Sequence, residues 1–150
     1  MLFEQEREKK QKIIIVGVVS DNMNRILLQC RYEPNNPDAH NKWELPGGKV
    51  EFGEPPQNAI EREILEETGY VVAAESIISN IVSNVWMYEK IRFHAIIIGF
   101  NCHLITKTNS LPNDHRVTVF KWFTKEEIEK LELITGVKEI IYSSKAYKNE

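Results

Sequence analysis

Between Gly48 and Tyr70 the chain reads GKVEFGEPPQNAIEREILEETGY, and no other stretch restricts its fold as tightly. Pro55 and Pro56 are tolerated only in the first turn of a helix, and Gly69 supplies a stop, so the spacing predicts a helix from Pro55 to Thr68. Ile60 and Ile64, four residues apart, form the apolar ridge that has to face a core. The same stretch carries Glu51, Glu54, Glu61, Glu63, Glu66 and Glu67 against only Lys49 and Arg62, a net charge of −4 in a chain whose total is −3.

Helical geometry concentrates that charge. At about 100° per residue, Glu66 and Glu67 lie about 60° and 40° to either side of Glu63, so three carboxylates share one face. Like charges this close resist ionisation without a counter-charge. Arg62, four residues before Glu66, can hold one of them but cannot balance three. A divalent cation is the economical partner, and an all-oxygen site suits magnesium, or manganese, rather than zinc. Acidic helix faces are ordinarily just solvated. A solvated face, however, needs neither the Gly47-Gly48 pair before it nor Glu54 at its entrance.

Composition narrows the class. With 150 residues, 42% hydrophobic and 27% charged, the chain is expected to be one soluble globular domain over 1–150, with residues 1–12 as a frayed or helical lead-in. Disorder is excluded by the ordinary apolar content and modest charge. Nucleic acid is not expected as a partner, since 19 Lys and Arg face 22 Asp and Glu. Cys30 and Cys102 lie far apart with no CxxC, which argues against a disulfide scaffold or a zinc–cysteine site and fits a reducing cytoplasm. Ile13 to Val19 is far too short for a membrane span, and no membrane partner is expected.

Elsewhere the pattern is that of a mixed sheet. Ile13 to Ser20 reads as a strand buried on both faces, and Arg25 to Arg31 as its return after the turn at Asp21 to Asn24. Val71 to Val85, Ile91 to Ile105 and Val117 to Phe123 read as strands. Thr124-Lys125-Glu126-Glu127 matches a capping box for a short helix, and Val137, Ile140 and Ile141 mark a last one. The order predicts an α/β fold with helices on both sides of the sheet.

Gly48, five residues, Glu54, seven residues, then Arg62-Glu63-Ile64-Leu65-Glu66-Glu67-Thr68-Gly69-Tyr70 resembles the signature of the Nudix hydrolases, and Trp43-Glu44-Leu45-Pro46-Gly47-Gly48 resembles that family's run-in. Every glycine and charged position agrees; Tyr70 stands where an aliphatic residue is usual. The resemblance implies an α/β/α sandwich with a mixed sheet and a MutT-like nucleotide pyrophosphohydrolase that uses Mg2+, or Mn2+. It implies Glu66 and Glu67 as principal metal ligands with the Gly47 carbonyl, Glu63 as ligand or water-activating base, Arg62 as the residue orienting these glutamates, and Glu54 as support for the metal cluster. The implied reaction is hydrolysis of the diphosphate linkage in a nucleoside diphosphate derivative.

Substrate choice lies outside this box. No proline stands near Val85, where family members acting on ADP-ribose often carry one. Tyr88 stands 18 positions beyond Tyr70, where members acting on dinucleoside polyphosphates often show a tyrosine. The run-in resembles members that clean up nucleoside triphosphates, giving a monophosphate and pyrophosphate, and this is the favoured reading. Dinucleoside polyphosphate, ADP-ribose or nucleotide-sugar hydrolysis is the alternative, and a non-catalytic Nudix-fold nucleotide sensor the alternative of another class. Trp86, Tyr88 and Phe93 are candidates for stacking on a base, although each also suits strand packing. Asp114 is a candidate ligand or substrate contact beside His115. His94 reads as a satisfied sheet histidine, Trp43 as a packing residue, and Cys30 and Cys102 as buried strand residues. A homodimer is compatible with the sequence.

Overall fold

The computed structural model describes residues 7–109 and 117–149. In chain order the elements are β1 (Glu8–Ser20), β2 (Ile26–Arg31), β3 (Trp43–Glu44), β4 (Gly47–Lys49), α1 (Pro56–Thr68), β5 (Tyr70–Ile77), β6 (Val82–Met87), β7 (Ile91–Lys107), β8 (Val117–Phe123), α2 (Lys125–Ile128), α3 (Val137–Tyr142) and α4 (Lys145–Lys148). The expected mixed sheet is present. Its main path runs β3-β2-β1-β7-β5, with β4 on β1, β6 on β7 and β8 on β2.

The axis of the sheet is β1 against β7, a parallel pair in register from Glu8↔Ile91 to Ser20↔His103. This pairing corrects the reading of the lead-in. Glu8 to Lys12 are neither frayed nor helical but continue β1, because β7 begins at Ile91 and offers them a hydrogen-bonding edge. The stretch read as one strand from Val71 to Val85 is two, β5 and β6, which pair with different parts of β7.

Side chains alternate across the sheet, and each face has its own core. On one face Ile15, Val19, Leu27, Phe100 and Cys102 pack against Ala59, Ile60 and Ile64 of α1. On the other, Val18, Ile26, Leu28, Leu45 and Ile78 pack against Ile128, Ile140 and Ile141. Two missing side chains let the helices approach: a Cβ on Gly17 would lie 2.7 Å from Ile64 Cδ1, and one on Gly99 2.7 Å from Ile140 Cγ2. Ile60 and Ile64 are fully buried, each contributing about 1.5–3 kcal/mol, so α1 is pinned with its opposite side outward.

The local signals behave as expected. Gly69 ends α1 in the left-handed conformation at φ 78° and donates to the Leu65 carbonyl. Thr124 and Glu127 form the reciprocal capping box of α2. The closing α4 carries no sequence pattern that announced it; its entry is capped by Ser144, whose hydroxyl accepts from Tyr147 N.

Candidate active site

The site begins at a strand whose first two residues have no side chain. β4 runs antiparallel to β1, with Gly47 opposite Val16 and Gly48 opposite Ile15. A Cβ on Gly47 would fall 2.0 Å from the Ile15 carbonyl oxygen, and one on Gly48 would fall 2.5 Å from Glu63 Cδ. The first glycine lets two backbones touch, and the second lets a carboxylate of α1 rest on the β4 backbone. Gly47 N also donates to Glu67 Oε2 at 3.1 Å. Glu67 is only 3% exposed, a depth at which a carboxylate is rare without strong partners. Two adjacent glycines thus receive two glutamates from one helix.

Arg62 ties the rest together. Its Nε donates to Glu54 Oε2 at 2.7 Å and its Nη2 to Glu54 Oε1 at 2.9 Å, while Nη1 donates to Glu63 Oε1 at 3.0 Å and Glu66 Oε2 at 3.1 Å. The predicted pairing with Glu66 is present, and the same guanidinium also reaches the helix entrance. These hydrogen bonds, that to Glu54 foremost, raise the pKa of Arg62 further and hold the Glu54 carboxyl below the ordinary glutamate value. Glu61 faces elsewhere: its Oε1 accepts from Ala74 N at 3.0 Å and fastens α1 to β5.

Among the described residues, no three His, Cys, Asp or Glu side chains converge as a ready-made metal cage. The donor chemistry nevertheless fits a hard cation. Glu54, Glu63 and Glu66 present oxygen donors around Arg62 while Glu67 sits on Gly47 N, an excess of negative charge that Mg2+ or Mn2+ would offset.

Outside α1 the candidates separate. Trp86 and Phe93 are direct cross-strand partners on β6 and β7, and Lys12 Nζ stands 4.7 Å from the Phe93 ring centroid. Tyr88 lies just beyond β6, and its hydroxyl donates to Glu33 Oε1 at 3.2 Å and accepts from Asn36 Nδ2 at 3.4 Å. Burial, with the Glu33 charge second, raises the Tyr88 pKa. Asp114 and His115 lie outside the described residues. His94 is held at both ring nitrogens, by Gln11 Nε2 at 2.8 Å and Ser83 Oγ at 2.7 Å. Trp43 packs edge-on against Phe123, and Tyr70 against Phe120 and Trp122. Cys102 is buried, whereas Cys30 is only half-buried.

One cluster escaped the sequence reading. Glu44 Oε1 accepts from Gln29 Nε2 and Arg31 Nη1, both at 3.2 Å, and Arg31 Nε reaches Glu33 Oε2 at 3.0 Å. Burial opposes the charge of Arg31, but Glu44 and Glu33 outweigh it and its pKa is raised. The available signal was Gln29 itself, a glutamine inside the apolar run of β2 and 2% exposed.

Known proteins share this arrangement to different extents. A 62-residue segment is 44% identical to the 8-oxo-dGTP diphosphatase of Escherichia coli (strain K12), covering 40% of this chain and 45% of that protein. A 102-residue segment is 31% identical to the 8-oxo-dGTP diphosphatase of Haemophilus influenzae, covering 67% and 66%. The matched segments therefore span less than two thirds of these relatives' own length. In three dimensions the chain is similar to a NUDIX hydrolase from Nitrosomonas europaea, with a TM-score of 0.73, 21% identity, and 89% and 88% of the two chains covered. The sequence model of the NUDIX domain matches residues 10–143, taking in the whole sheet core and the α1 cluster. On that match, with the glycine–glutamate turn and the sheet it is built into, the chain belongs to the NUDIX domain family.

Proposed function

We propose that residues 1–150 form one hydrolase domain that cleaves the diphosphate linkage of a nucleoside triphosphate, releasing a nucleoside monophosphate and pyrophosphate. The observation that carries the reading is the seating of Glu63 and Glu67 on the Gly47–Gly48 backbone while Arg62 spans Glu54, Glu63 and Glu66. Glu63, Glu66 and Glu67, with the Gly47 carbonyl, would hold Mg2+ or Mn2+. When bound, the ion would neutralise phosphate charge and lower the pKa of a coordinated water.

The chain's own residues supply the rest. Glu63 lies against Gly48 and within Arg62's reach, so it can accept a proton from attacking water while Arg62 holds its orientation. Glu66 is the more exposed carboxylate of the pair beside Arg62, free to turn toward a ligand. Catalytic roles are thus assigned to Glu63, Arg62 and Glu66, with Glu54 anchoring the arginine. The curated relatives' named activity, hydrolysis of 8-oxo-dGTP, supports a triphosphate substrate and makes an oxidised purine nucleotide the first to try. Tyr88 lends less weight to a dinucleoside polyphosphate, since its hydroxyl is already engaged by Glu33 and Asn36.

Incubation with a nucleotide panel and magnesium in heavy-oxygen water tests this. Label in a phosphate product, loss of turnover in excess chelator, and faster turnover of a triphosphate than of ADP-ribose are expected. Undiminished activity in chelator would overturn the metal-dependent reading, and preference for ADP-ribose the substrate.

A further inference from the structure

Register brings together two charged segments that lie far apart in sequence. Arg7 to Lys12 and Glu89 to His94 together hold six Lys and Arg against two Glu, a formal +4 with His94 neutral, in a chain of net −3. In the sheet, Lys9 lies opposite Arg92 and Gln11 opposite His94, while Val85 and Met87 of β6 lie opposite His94 and Arg92. Lys9, Lys10, Gln11, Val85, Arg92 and His94 line one shallow hollow of about 410 Å³.

Three features make this ledge more than scattered surface charge. Like charges placed directly opposite on neighbouring strands destabilise a sheet, and neither Lys9 nor Arg92 forms an ion pair among the described residues. The floor is rigid, because Gln11 and Ser83 lock the His94 ring from both sides and join all three strands. Beside the cations, Val85 and Met87 are 54% and 53% exposed, an apolar surface on which a flat ring can rest.

The ledge also has a direction. Lys9, Gln11 and Ile15 alternate onto the same face of β1, and Ile15 is paired with Gly48, where Glu63 sits. From Lys9 to Ile15, which is itself buried under α1, is six residues, about 20 Å along the strand, so the ledge stands apart from that site. The unpaired Lys9–Arg92 row beside exposed Val85 and Met87 matches a phosphodiester with its attached base, whereas a lone phosphate would leave the apolar surface unused.

We infer that this ledge is a binding site for single-stranded nucleic acid, the phosphodiester backbone lying over Lys9 and Arg92 and a base against Val85 and Met87. The whole-chain charge balance that argued against nucleic acid averaged this face with the acidic helix. The site lies outside the α1 cluster and does not depend on the hydrolase reading, so it is tested without turnover.

Fluorescence anisotropy of a labelled twelve-nucleotide single strand, in chelator and across a salt series, provides the test. With two phosphates neutralised, the log of the association constant should fall with log salt at a slope of about −1.4. The double variant Lys9→Glu and Arg92→Glu should weaken binding at least about tenfold at low salt and flatten that slope, since each neutralised phosphate contributes about −0.7. An unchanged circular dichroism spectrum would show that the variant is folded. No binding by the unaltered protein at low salt would overturn the proposal, as would equal binding by the variant. So would binding to anionic lipid vesicles without binding to the strand.

Discussion

Arg62 grips Glu54 through two hydrogen bonds, at 2.7 and 2.9 Å, and so ties the loop before α1 to the middle of the helix. A lysine offers one compact ammonium in place of this planar fork and cannot serve Glu54, Glu63 and Glu66 together. Arg62→Lys should therefore stay folded while turnover falls about tenfold or more, and the Glu54 carboxyl should titrate closer to its ordinary range by NMR. The sign follows from the lowered Glu54 pKa. Its contribution to stability is present above the ordinary glutamate pKa and is lost as pH falls through the lowered one. Thermal unfolding of the variant should show a shallower acid decline.

The glutamates of α1 should divide by direction. Glu66→Gln and Glu67→Gln keep shape but remove charge, and turnover should drop about 10²-fold with the fold intact. Glu61→Gln retains the oxygen that accepts from Ala74 N and should change turnover little. Steady-state kinetics on the three variants checks this; a defect at Glu61 equal to that at Glu67 would refute the assignment of faces.

Adjacent glycines should fail differently. A Cβ at Gly47 meets the backbone at Ile15 and Val16, which cannot yield, so Gly47→Ala should lose about 3 kcal/mol by denaturant unfolding. At Gly48 the obstacle is the carboxyl end of Glu63, a side chain that can swing away. Gly48→Ala should cost stability less than about 1 kcal/mol yet abolish most turnover.

Tyr88 presents a ring and a hydroxyl with separable effects. Tyr88→Ala should raise KM by the equivalent of about 1–3 kcal/mol if a base stacks there, with kcat less affected. Tyr88→Phe keeps the ring and should leave KM alone while losing about 1 kcal/mol, since Asn36 is buried and loses its acceptor. Because the Tyr88 pKa is raised, its share of stability holds below the ordinary tyrosine pKa and fades as pH rises through the raised value. The Phe variant should show a smaller alkaline decline in thermal midpoint.

What the sequence disclosed was what neighbouring residues settle between themselves. Pro56, Gly69 and the Thr124–Glu127 box fix helix ends through bonds within a few residues, and the Ile60–Ile64 ridge fixes which way α1 turns. Strand partnership has no such local record. Glu8 to Lys12 are polar throughout and become strand only because β7 lies beside them. Glu33 and Asn36 look like ordinary loop residues until the chain 52 to 55 positions later delivers the Tyr88 hydroxyl. The two- and three-residue strands β3 and β4 are too short to show a period of two.

The alignment of β1 with β7 also sets an order of events during synthesis. Each residue of β1 waits for one 83 positions later, an interval of roughly 4 to 17 s at ordinary ribosomal speeds. Until then the oily segment Ile13 to Val19 has three residue pairs with β4 along its other edge, and β1 meets β2 at Ser20↔Ile26, just beyond that segment. Pairing over so great a separation is slow to nucleate and leaves that strand exposed to other chains. A nascent chain halted at Lys90 should consequently scatter light and associate, while one extended past Lys107 can pair β1 with β7.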